Sequence, residues 1–209
     1  MATRATLAPR SLTVIRCLIV DDHPAIRVGL RELLSVEADL EVVAACASAE
    51  NALAFAEDAV SDDGAPVHVA IVDHQLGGHS GLWLSRRLRA LPDPPRVLVY
   101  SAFSDHLLAA AAVVAEASAV VSKGALPGEL ADTIRALAGG ERRLPSVPPS
   151  LAESIGRRLD PVGQAIFGLM AAGVPPREAA ATLRLAEREL DTRLWTMLRA
   201  LERPRRAAA

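Results

Sequence analysis

Lysine is almost absent from this chain. Of 23 basic side chains, Lys123 alone is an ammonium and the rest are arginine. Position 123 is therefore marked as a place where a compact point charge serves and a broad planar fork does not. Cysteine is scarce too. Cys17 and Cys46 both lie inside apolar runs, which reads as buried reduced thiol in a cytoplasmic protein rather than as a disulfide. No run of about 20 uninterrupted apolar residues occurs. The nearest, residues 107–114, is Ala-rich and too short to cross a bilayer, so no membrane partner is expected. Residues 1–13 carry Arg4 and Arg10 but no apolar stretch or cleavage-like site, and do not read as a secretory signal. There is no repeat at a fixed period and no Gly-rich phosphate loop after the first apolar run.

What is present suits a globular chain with a real core: 51% of 209 residues are hydrophobic and 23% are charged. The net charge of −2 hides an asymmetry. Residues 1–149 carry 13 basic and 18 acidic side chains, whereas residues 150–209 carry 10 and 7. Opposite signs in two halves point to two domains with different partners, the second weakly suited to a polyanion.

Short apolar runs at residues 14–20, 40–47, 67–72, 96–100 and 118–122 read as strands. Helical patterns follow each, over residues 25–36, 49–60, 81–91, 105–117 and 127–138. The alternation predicts an α/β fold with a doubly wound parallel sheet. Residues 141–157, which open with "ERRLPSVPPS", read as a linker, and only helical patterns follow.

In such sheets ligands bind beyond the carboxyl ends of the strands. The residues delivered to that rim are Asp21 and Asp22, Asp73, Ser101 and Lys123. Three carboxylates close together repel, by about 4 kcal/mol per pair 4 Å apart at an effective dielectric near 20. A cation belongs there, and an all-oxygen set favours Mg2+. Mg2+ seldom takes more than two carboxylates, which leaves Asp73 free to attack phosphorus and form an aspartyl phosphate. The phosphoryl oxygens would then face the metal, the Ser101 hydroxyl and the Lys123 ammonium.

The segments "CLIVDDHP", "VDHQLGGHSGL", "YSA" and "VVSKG", in that order and spacing, resemble the receiver domain of two-component response regulators. "DDHPAIRVGLRELL" resembles the NarL/FixJ branch. The resemblance implies strand order 2-1-3-4-5 and phosphorylation of Asp73 by a sensor histidine kinase. It also implies Mg2+ held by Asp21, Asp22, Asp73 and the Gln75 backbone carbonyl, with Ser101 and Lys123 as switch and phosphate partners. That family usually places proline at Gly77 and an aromatic at Val120, so a weaker bias or a relay other than a rotating aromatic is expected. Gln75 stands where aspartyl-nucleophile hydrolases commonly carry a second acid, so turnover of a metabolite is not expected.

Residues 159–201 show short helices joined by tight turns, and resemble the LuxR-type helix-turn-helix domain. The domain division expected is an extension at 1–13, a receiver at 14–140, a linker at 141–157, a helix-turn-helix at 158–203 and a tail at 204–209. The resemblance implies a homodimer that binds operator DNA with the helix at 187–201 in the major groove. Arg177, Arg184, Arg188, Thr192, Arg193 and Arg199 are the expected contacts, and Arg203, Arg205 and Arg206 add positive charge beyond. Glu189 and Asp191 oppose this, since acids facing a polyanion repel it, and Trp195, if exposed, suits a protein interface or a packing contact with the receiver. They motivate an alternative, a signalling protein whose helical module binds protein.

Overall fold

The computed structural model describes residues 14–61, 66–103 and 105–202. The extension at 1–13 and the arginines at 203, 205 and 206 lie outside the described residues. Five strands, β1 (Ile15–Val20), β2 (Leu40–Cys46), β3 (Val69–Asp73), β4 (Arg96–Ser101) and β5 (Ala119–Ser122), form one parallel sheet. Its order is β2-β1-β3-β4-β5. The helices between them are α1 (Pro24–Ser35), α2 (Ala49–Ser61), α3 (Gly81–Arg89) and α4 (His106–Val114), and α5 (Pro127–Ala138) follows β5. Cys17 and Cys46 are free thiols, and burial pushes the Cys17 pKa up to about 12.

Strand residues alternate between faces. Cys17, Ile19, Ile71 and Leu98 meet Leu34 of α1 and Ile134 of α5. Leu18, Val20, Val72 and Val97 meet Ala52 of α2 and Leu84 and Leu88 of α3. Both faces are covered, which is why the central strands are unbroken apolar runs.

Among the described residues four helices follow: α6 (Pro149–Gly156), α7 (Pro161–Ala171), α8 (Pro176–Leu183) and α9 (Glu187–Glu202). Helix α6 falls inside the stretch read as a linker. Prolines made that stretch look irregular, yet Pro149 occupies the first helical turn, where a missing N–H costs nothing. Leu151 and Ile155, four residues apart, then present one apolar face. Gly173, at φ +91°, ends the turn after α7, and Arg184 takes the left-handed position after α8.

Helix α4 has apolar neighbours on both sides. Residues Leu108 to Val114 are all buried. One continuous cluster joins Val99 of the sheet and Leu82 of α3, through α4, to Phe167 of α7 and Leu194 and Leu198 of α9. A surface helix would need a polar face, and "HLLAAAAVV" has none because it lies between two layers. Val120 is half-buried against this same cluster.

Candidate functional site

The sheet register places the charged groups. β1 and β3 are neighbours paired Val20 to Val72, so the residues that follow, Asp21 and Asp73, leave the sheet side by side. Ser101 pairs with Ser122, and the Lys123 N–H donates to the Ser101 carbonyl at 2.7 Å. That brings β4 and β5 to the same rim. Asp21, Asp73 and Ser101 are buried.

Lys123 closes the group. Its Nζ lies 2.7 Å from Asp21 Oδ2 and 3.0 Å from Asp73 Oδ2. Burial pulls the ammonium pKa down, but hydrogen bonds and charge from Asp21 and Asp73 outweigh this and leave it above its ordinary value. Tyr100 borders the lysine stem: Nζ is 5.9 Å from the ring centroid. The Ser101 hydroxyl accepts from the Phe103 N–H at 3.2 Å.

The acids are held by backbone donors. Asp21 Oδ1 accepts from the His23 N–H at 2.8 Å, and Asp73 Oδ1 accepts from the Gln75 N–H at 3.3 Å. Asp22 meets His23 Nδ1 at 2.6 Å. Asp21, Asp22, His23 and Asp73 each offer a ligand atom, all within 4.8 Å of one another. Three carboxylates in that space, with one ammonium to offset them, fit a hard divalent cation.

Gly81 makes the floor of the site. A Cβ there would stand 2.0 Å from the Asp73 carbonyl oxygen and 2.9 Å from Val72 Cγ1. Only glycine lets α3 start this close to the end of β3. Sequence reasoning passed over it, although it lies within the quoted motif.

The sequence-predicted DNA contacts have divided. Arg177, Arg184, Arg188, Thr192 and Arg199 are exposed. Arg193 is committed elsewhere: it pairs with Asp160, the cap of α7, at 2.7 Å and with Glu189 at 3.0 Å. Asp191 accepts a hydrogen bond from Arg86 of α3, whose other arm reaches Glu116. The Arg86 guanidinium also lies 5.6 Å from the Trp195 ring centroid. The side chains that opposed DNA binding thus have partners within the chain. Arg86 was not anticipated. Helix α3 carries three arginines, Arg86, Arg87 and Arg89, and nothing in the sequence singles out Arg86 as the buried one.

A parallel five-stranded sheet with an acid cluster and a lysine at its carboxyl rim has the architecture of a receiver module. The model of the response regulator receiver domain matches residues 17–135, and this chain belongs to that family. NarL, the nitrate/nitrite response regulator of Escherichia coli, is 26% identical over 203 residues, 92% of this chain and 91% of NarL. DevR/DosR of Mycobacterium tuberculosis, a DNA-binding transcriptional activator, is 25% identical and covers 94% and 92%. With UvrY of Escherichia coli the match, 27% identical, covers 64% of this chain and spans 58% of UvrY. Among solved structures, the response regulator ChrA of a heme-sensing two-component system aligns with TM-score 0.52 and 27% identity over 88% of each chain. RcsB in complex with DNA, 22% identical, shares the fold with TM-score 0.56 over 90% of this chain and 92% of that one.

Proposed function

We propose that this chain is a response regulator in which phosphorylation of Asp73 controls access to a DNA-binding helix, α9. The observation that carries this reading is Asp73 itself: buried, beside two further acids, with the chain's one ammonium 3.0 Å from its oxygen. The proposed receiver spans 14–140 and the proposed helix-turn-helix 158–203, with α6 packed against the C-terminal helices through Leu151 and Ile155. The setting is cytoplasmic.

Asp21, Asp22, Asp73 and the Gln75 carbonyl would hold Mg2+, which lowers the repulsion between an incoming phosphoryl group and the carboxylates. A carboxylate oxygen of Asp73 forms the P–O bond as the P–N bond of a kinase phosphohistidine breaks. The imidazole leaves with the electron pair and takes up a proton. Lys123 then exchanges part of its carboxylate contact for a phosphoryl oxygen, and the Ser101 hydroxyl turns from the Phe103 N–H to donate to another. No metabolite is turned over.

In the state described here, α9 lies against the receiver through Asp191 and Trp195, so that face cannot enter a groove of DNA. Phosphorylation would shift the balance toward a released α9, and a homodimer would present two copies to operator DNA. Moving a balance from 1:99 to 99:1 requires about 5.5 kcal/mol of differential stabilisation. Arg177, Arg184, Arg188, Thr192 and Arg199 remain to meet phosphates or base edges. The alternative of a protein-binding module rested on Glu189, Asp191 and Trp195, and the contacts to Arg193 and Arg86 account for those residues.

The test is phosphorylation of the wild type and Asp73→Asn by a small acyl phosphate donor, followed by DNA binding of both at several salt concentrations. Phosphorylation should raise the affinity of the wild type alone, with log K falling linearly in log salt. Equal affinity before and after would sink the reading.

A further inference from the structure

The last turn of α9 reaches the same loop that begins at Asp73. That loop, residues 74–80, is closed by the Gly81 N–H donating to the His74 carbonyl at 3.0 Å. At its end, Ser80 caps α3 by accepting from the Trp83 N–H at 3.0 Å, and its hydroxyl donates to a carboxylate oxygen of Glu202. Glu202 and Arg199 form one wall of a groove of about 920 Å³, with His74, Trp83 and Phe103 on the others. His74, the residue after Asp73, thus shares that groove with Glu202.

The position where an aromatic relay would sit is Val120, half-buried against α4. A valine has no ring to rotate, so a change at Asp73 needs another route to α9. The Ser80–Glu202 contact supplies one that requires no rotating side chain.

We infer that Glu202 is a positioning residue that senses charge at Asp73. Its hydrogen bond to Ser80 holds the end of α9 on the β3–α3 loop, and phosphorylation loosens that hold by adding negative charge to the same loop. The inference rests on Asp73 being the phosphoryl acceptor. A carboxylate bound to a hydroxyl makes a charge-assisted bond, so its strength depends on the local field. An aspartyl phosphate carries up to one more negative charge than aspartate. Measured against the magnesium-loaded resting protein, that charge repels Glu202. A divalent cation alone acts in the opposite sense and tightens the contact. Cation and phosphoryl group should thus move the end of α9 in opposite directions, which a merely structural hydrogen bond would not do.

Hydrogen exchange of α9 amides in the full chain tests this, with no ligand, with Mg2+, and with Mg2+ plus beryllofluoride. In the wild type, Mg2+ should slow exchange in the last turns of α9, and beryllofluoride should then speed it about tenfold. Glu202→Gln keeps an acceptor for Ser80 but loses the charge, and its response should fall below about twofold. Ser80→Asp keeps the α3 cap and places a fixed charge beside Glu202, so its α9 should exchange rapidly without beryllofluoride. An equal response in Glu202→Gln, or a protected α9 in Ser80→Asp, overturns the relay and leaves the receiver reading intact. A wild type that is insensitive to beryllofluoride, with Asp73→Asn indistinguishable from it, overturns the acceptor assignment as well.

Discussion

Removing the carboxylate of Asp191 should open the resting protein without touching the acid cluster. Arg86 would be the poorer choice, because its loss strands Glu116, which holds a left-handed backbone at φ +57°, and strips Trp195 of its cation. In Asp191→Ala, Arg86 keeps Glu116 and the ring. The lost bond joins a guanidinium 5% exposed to a carboxylate 57% exposed. A fully buried charge-assisted bond would be worth about 1.5–3 kcal/mol and an exposed pair well under 1. Half immersed in water, this one is worth about 1 kcal/mol, roughly fivefold in the equilibrium between held and released α9. While the released state is the minor one, apparent DNA affinity scales with its population. The unphosphorylated variant should therefore bind DNA about fivefold more tightly. The phosphorylated variant, already released, should match the phosphorylated wild type. Fluorescence anisotropy with labelled operator DNA measures all four affinities. If both forms gain equally, Asp191 acted only by repelling the polyanion, and the interdomain contact carries no regulation. If neither gains, the contact contributes nothing to the balance.

Gly81→Ala should destabilise the fold by 2 kcal/mol or more, since a Cβ 2.0 Å from the Asp73 carbonyl oxygen forces α3 away from β3; urea denaturation measures this, and a cost under about 0.5 kcal/mol would contradict the close approach. Lys123→Arg should still accept a phosphoryl group, seen as a mass increase. It should lose most of the DNA response, because a guanidinium cannot take the place of one nitrogen that serves both Asp21 and Asp73. Asp39 is held below its ordinary pKa of 3.8, chiefly by its hydrogen bonds to Arg135. A depressed carboxylate contributes stability fully present above pH 3.8 and lost as pH falls through the folded value. Asp39→Asn should therefore cost about 1 kcal/mol at pH 7, as partly exposed networks do. It should also flatten the fall in stability below pH 4 in acid titrations followed by circular dichroism; an unchanged acid limb would exclude this pair as its source.

The receiver was legible because its signals are local and its topology is rule-bound. Apolar runs of strand length marked the strands, and the rule that parallel sheets bind at their carboxyl ends turned the following residues into a site. Asp21, Asp73, Ser101 and Lys123 meet as that rule requires. Helix α6 was hidden because proline carries two meanings, breaker inside a helix and starter at its first turn. Asp191 misled because its partner, Arg86, lies about a hundred positions away, and no window of sequence contains both. The clearest missed signal was α4: eight apolar residues with no polar stripe already require cover on every side.

Three alanines of α4, residues 110–112, work as a spacer of minimum thickness between the sheet and the C-terminal helices. A spacer built of methyl groups has no slack. Any bulkier residue there acts as a wedge, prising apart the two halves of the molecule while leaving the chemistry at the sheet's rim intact. The gain of the device is thus set at a place remote from both its input and its output, and one methylene at a time would be enough to retune it.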